Sequence, residues 1–115
     1  MTNFYSKYDI VIVKFPFSDI KAYKARPAVV VSNSFFNQNS RNTLFILAIS
    51  SKIDTKLEFE TEILDWQECG LLKPSVFKSA VATIETNIII KKIGYLSKTD
   101  RKHLDNLIEK IIVDE

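Results

Sequence analysis

The run Lys24-Ala25-Arg26-Pro27-Ala28-Val29-Val30-Val31-Ser32, followed by the apolar stretch from Leu44 to Ser50, sets one fixed cation beside a row of hydroxyls. Arginine presents a planar fork of donors that matches phosphate oxygens two at a time. It never deprotonates, so it can stabilise charge that develops during phosphoryl chemistry. Pro27 disfavours the helical region for Arg26, so the guanidinium leaves an extended backbone just where a buried strand begins. Taken alone, an Arg-Pro pair also fits a surface charge flanking a strand.

The elements that must position these groups are mostly short strands. Ile10 to Phe15 and Ala28 to Ser32 are rich in β-branched residues, the second apolar enough for burial on both faces. Thr43 to Ser50 reads as a third strand and Glu58 to Leu64 as a fourth. Phe17 to Lys24 and Asn33 to Asn42 read as polar connections. Trp66 to Gly70 reads as a helical turn closed by Gly70, because glycine readily takes the left-handed conformation at a helix end. After Lys73-Pro74, strands are expected at Ser75 to Ser79 and Ile88 to Leu96, the latter interrupted at Gly94. Ser97-Lys98-Thr99-Asp100 has the form of a capping box, and Leu104, Leu107, Ile108, Ile111 and Ile112 repeat at helical spacing behind it. A strongly curved antiparallel sheet with one helix packed on it follows, a mainly β fold.

At 115 residues, with no repeats or linker-like stretches, the chain reads as one domain over residues 1–115 with little core to spare. A homodimer would ease that shortage. No apolar run approaches the roughly 20 residues that a membrane span needs, and the N-terminus lacks a signal pattern, so a cytoplasmic location is expected. Cys69 is the single cysteine, which excludes an internal disulfide and leaves it as core filler. No cluster has metal-ligand spacing and no glycine-rich phosphate loop is present, so no cofactor is expected. His103 lies in a charged helical face and reads as solvated.

The net charge of +2 is too small for wholesale nucleic-acid binding, but it is unevenly spread. Residues 1–52 carry seven cations against Asp9 and Asp19, whereas residues 53–68 carry six acids against Lys56. The cationic part fits a polyanionic substrate, and the acidic part is expected to lie away from it, although ordinary solvated faces would give the same pattern.

Five segments, in order, resemble the PemK/MazF family, the toxin components of bacterial toxin-antitoxin pairs. They are Asp9 to Phe17, Arg26-Pro27-Ala28-Val29-Val30-Val31-Ser32, Ala48-Ile49-Ser50-Ser51-Lys52, Gly70 to Val76 and Ile93-Gly94-Tyr95-Leu96-Ser97. The resemblance spans nearly the whole chain, and it implies an SH3-like small barrel and a metal-independent endoribonuclease acting on single-stranded RNA. It also implies a homodimer held silent by a cognate antitoxin.

In RNA the neighbouring 2′-hydroxyl can attack phosphorus, so such an enzyme needs a base, donors for the phosphate and an acid for the leaving oxygen. The resemblance assigns the donor role to Arg26 and places Ser50, with Ser51 just after, where the family usually has threonine. The carboxylate that some members carry before the arginine is missing here, and Asp19 is the one acid in that loop, as base or as turn former. Tyr23 is the preferred base-stacking contact, with Phe17 and Lys24 nearby. Phe35 and Phe36 fit base stacking, core or dimer roles equally. Lys73 and Ser75 either flank the groove or begin a solvent-facing strand. Two other readings of the same fold are a non-catalytic RNA- or antitoxin-binding protein and a poison of DNA topoisomerase. Arg26 beside a hydroxyl favours the ribonuclease over the poison.

Overall fold

A computed structural model describes residues 4–16, 23–53 and 59–113 of the chain. Six strands, β1 (Asp9–Pro16), β2 (Tyr23–Val30), β3 (Thr43–Ser50), β4 (Thr61–Ile63), β5 (Ser75–Glu85) and β6 (Ile89–Tyr95), form one antiparallel sheet in the order β4-β5-β3-β2-β1-β6. Two helices, α1 (Ser34–Asn39) and α2 (Lys98–Ile112), complete it. This is the expected strongly curved sheet of the small-barrel type, with α2 packed on it.

Cross-strand partners share a face, and apolar residues fill both faces. Ile10, Val29 and Leu47, neighbours across three strands, join Phe77, Leu104 and Leu107 in one core beneath α2. Val11, Ala28, Val30 and Ile46 point the other way, into a second core with Leu44 and Ile84. Partly buried Ile88 and Ile89 pack against it, from the short 3₁₀ turn at Thr86–Ile88 and the start of β6. Sheet curvature thus lets the chain bury both faces with a single long helix.

Several boundaries differ from the sequence reading. Asn33 to Asn42 is not simply a polar connection, because α1 forms inside it without an apolar stripe. Asn33 caps it by accepting from the Phe36 amide at 2.9 Å. Asn37, buried, donates to the Tyr5 and Ser32 carbonyls and accepts from the Ser32 hydroxyl. Polar anchoring here replaces the hydrophobic signal that periodicity detects. Strand β2 begins at Tyr23, inside the expected Phe17 to Lys24 connection, whose remainder lies outside the described residues. It also ends at Val30 instead of Ser32. Strand β5 runs to Glu85, well past Ser79, because pairing with β3 continues through Thr43 and Glu85. The fourth strand shrinks to Thr61–Ile63. Ile112, expected on the packed face of α2, is 67% exposed.

Gly70 and Gly94 meet. Gly70 closes the turn after Trp66 with φ +92°, and Gly94 sits at the β6 bulge opposite Ile10. A Cβ on Gly70 would lie 2.3 Å from the Ile93 carbonyl oxygen, and one on Gly94 equally close to that of Cys69. The expected interruption of this strand at Gly94 is a bulge that allows two backbones to touch. Asp100, fully buried, ties the helix start to the end of β4 by accepting from the Leu64 and Asp65 amides at 2.8 Å each. The capping half of the box forms as expected, Ser97 Oγ accepting from the Asp100 amide.

Candidate active site

Pairing between β2 and β3 stops at Ala28 and Ala48, although both strands continue. Pro27, the next residue of β2, has no N–H to give a ladder, while β2 stays paired to β1 as far as Tyr23. Two residues further along each strand, where the register would set them opposite, are Arg26 and Ser50. Both line a cavity of about 200 Å³ that opens where the ladder ends. Residues 24 positions apart are brought to one point by sheet register.

Arg26 is half-buried, with its Nε sealed from solvent. Ser50 Oγ accepts from the Lys52 amide at 3.1 Å, which orients the hydroxyl and leaves its proton free to donate. Arg26 and Ser50 also line a groove of about 520 Å³. Ile12, Ile49, Leu71 and Ile93 supply its apolar surface, while Lys24, Lys52 and Lys73 supply cations. The turn at Gly70 to Lys73 forms one wall, held against β6 by the Gly70–Gly94 contact.

Of the residues nominated from sequence, Arg26, Lys24, Ser50, Ser51, Lys73 and Ser75 all line this groove. Ser75 is 5% exposed and its hydroxyl donates to the Lys73 carbonyl at 2.9 Å, so it shapes the wall. Tyr23 lies in β2 opposite Pro16. Asp19 and Phe17 lie outside the described residues. Phe35 and Phe36 line neither space: they sit on α1, where Phe36 meets Phe45 with ring centroids 4.8 Å apart. His103 is half-buried on α2.

Sequence reasoning missed one charged residue of the cavity wall and the carboxylate that pairs with it. Lys78 of β5 lines the cavity beside Arg26, and its ammonium pairs with the Glu60 carboxylate. Glu60 belongs to the acidic segment expected to lie away from the substrate. Its side chain is instead 4% exposed and pairs with a cation of the cavity wall. Nothing in a period-2 pattern shows that a glutamate ahead of β4 meets a lysine 18 residues later.

Residues 6–112 match the family described as PemK-like, MazF-like toxin of type II toxin-antitoxin system. The chain belongs to this family. No curated protein sequence matches it. Solved structures show how far this toxin fold extends at low identity. The Mycobacterium tuberculosis toxin MazF-mt6 is 22% identical, with TM-score 0.70 over 89% of this chain and 93% of that one. An endoribonuclease in complex with its cognate antitoxin, from a mycobacterial species, is 11% identical, with TM-score 0.74 over 95% and 93%. The MazE-MazF structure from Deinococcus radiodurans is also 11% identical, with TM-score 0.74 over 99% and all of that chain. The PemK/MazF fold of this chain thus persists where most side chains differ.

Proposed function

We propose that this PemK/MazF-family toxin is an endoribonuclease that cuts single-stranded messenger RNA by attack of the 2′-hydroxyl on the adjacent phosphorus. The observation that carries this reading is the convergence of Arg26 and Ser50 on one cavity where β2 and β3 part. Arg26 donates to the non-bridging oxygens as they gain charge, and Ser50 adds a further donor. The new bond joins O2′ to phosphorus and the bond to O5′ breaks. A base takes the 2′ proton and the leaving O5′ gains one, giving a 2′,3′-cyclic phosphate and a 5′-hydroxyl. Because the substrate supplies the nucleophile, the chemistry calls for no metal. Asp19 is our candidate base.

Lys24, Lys52 and Lys73 along the groove suit the RNA backbone, and its apolar surface suits unstacked bases. Tyr23 and Phe17 are assigned to base stacking. The antitoxin-bound structures with the same fold support a cognate antitoxin as partner, its flexible segment occupying the groove. We further assign a homodimer and action in the cytoplasm, where messenger RNA is translated. Among the described residues no helix is long and apolar enough to cross a membrane.

The test is to incubate the purified protein with a long mixed-sequence RNA in the presence of chelator and map new ends. Discrete cuts with cyclic-phosphate ends are expected, reduced on the order of 10²- to 10³-fold in Arg26→Ala. Intact RNA from a folded protein would refute the assignment and leave the binding-only reading.

A further inference from the structure

The cavity shared by Arg26 and Ser50 has a second cation on its wall, Lys78, with Ala48 and Ala80 as small neighbours that leave the space open. No carboxylate lines this cavity among the described residues.

Lys78 is also held in place. Its ammonium pairs with Glu60, whose side chain is 4% exposed against 35% for the lysine. The backbone carrying Glu60 is itself fixed to β5. Ser79 Oγ donates to the Phe59 carbonyl, and Thr61 pairs with Phe77. A long side chain anchored by a buried carboxylate has less rotamer freedom left to lose when it meets a ligand.

We propose that Lys78 is a second phosphate-binding residue of the site, with Glu60 as its positioning residue. This rests on the ribonuclease reading above. Arg26 and Ser50 hold the scissile phosphate from the side where β2 and β3 part, and Lys78 reaches it from β5. A compact ammonium acts as a point charge, so it stabilises the gain of negative charge on phosphorus oxygens without needing the paired geometry that arginine requires.

Two measurements on the full-length protein test this. One is cleavage rate. The other is the salt dependence of binding to a single-stranded RNA that carries the mapped cut site, made uncleavable by 2′-deoxy substitution there. Lys78→Gln is expected to lower kcat on the order of 10²-fold. It also flattens the slope of log K against log salt by about 0.7, the share of one phosphate contact on a single strand. Lys78→Arg restores the slope. Glu60→Gln keeps the slope, since the ammonium remains, but lowers kcat, and Glu60→Asp recovers part of the loss. Ala80→Leu, which fills the cavity without altering a charged group, abolishes cleavage. Lys102→Gln, the same charge change on an exposed position of α2, alters neither slope nor rate.

A folded Lys78→Gln with wild-type slope and rate overturns the proposal while leaving the ribonuclease reading intact. If that variant fails to fold, cleavage at the wild-type rate by Ala80→Leu overturns it instead. A wild-type protein that neither binds nor cuts RNA overturns both.

Discussion

The contact between Gly70 and Gly94 makes Gly94→Ala a sharp probe of how the groove wall is held. An added Cβ would lie 2.3 Å from the Cys69 carbonyl oxygen and 2.7 Å from its carbon, whereas ordinary contact begins at 3.4 Å. Both opposing atoms belong to the backbone, so relief requires the turn at Cys69 and Gly70 to move about 1.1 Å away from β6. Overpacking of this kind costs about 1–3 kcal/mol. At on the order of 4 °C per kcal/mol for a domain of this size, a cost of about 2 kcal/mol lowers Tm by about 8 °C. Because Gly70, Leu71, Leu72 and Lys73 line the groove, the same movement widens it and weakens RNA binding, though Arg26 and Ser50 are untouched. Thermal melts and fluorescence anisotropy with a labelled single-stranded RNA read the two effects separately. A variant melting within about 2 °C of wild type, with unchanged affinity, would show that the two backbones part without cost and would sink the argument.

Three further outcomes follow from individual contacts. Asp100→Ala leaves the Leu64 and Asp65 amides without their acceptor, at about 1–3 kcal/mol each, so chemical denaturation is expected to show a loss of about 4 kcal/mol. On the proposed mechanism, Ser50→Ala removes a phosphate donor and is expected to slow cleavage with no change in Tm. If Ser51→Ala is inactive and Ser50→Ala is not, the register assigned to the end of β3 is wrong by one residue. The Tyr8 phenol is pushed above its ordinary value of 10.0 by burial, by its hydrogen bond to Asp105 and by that residue's charge, against a lowering by Lys7. Its contribution to stability is therefore complete below pH 10 and is lost as pH rises from there through the raised folded value. Tyr8→Phe is expected to remove that alkaline component from a stability–pH profile measured by urea denaturation.

Much of the fold was legible because its signals are local. Strand β3 falls at Thr43–Ser50, where its short apolar run places it, and Gly70 and Gly94 mark a turn and a bulge. Helix α2 begins at the Ser97 cap and buries Leu104 and Leu107. The misreadings share a cause. Helix α1 is held by Asn37 and Ser32, polar residues that periodicity counts as loop, and the far half of β5 is exposed and small, from Ser79 to Thr83. It is a strand because β3 lies beside it. Tertiary pairing there overrides a weak local preference.

For the site, sequence alone supplied the arginine, the proline that ends its ladder and the hydroxyl at the end of β3, since each is a residue type tied to a local backbone constraint. Only tertiary structure could place Lys78 and Glu60 with them. Which side chains meet across a sheet depends on register, and register here shifts at the bulge between Leu47 and Ile49, which sets Phe77 opposite Ile49 and Val81 opposite Leu47. A slip of one residue would turn Lys78 to the opposite face, and no property of the lysine itself would reveal it. The chain thus wrote the arginine of this cavity into its own sequence, and left the second cation to be delivered by the curvature and pairing of strands far apart along it.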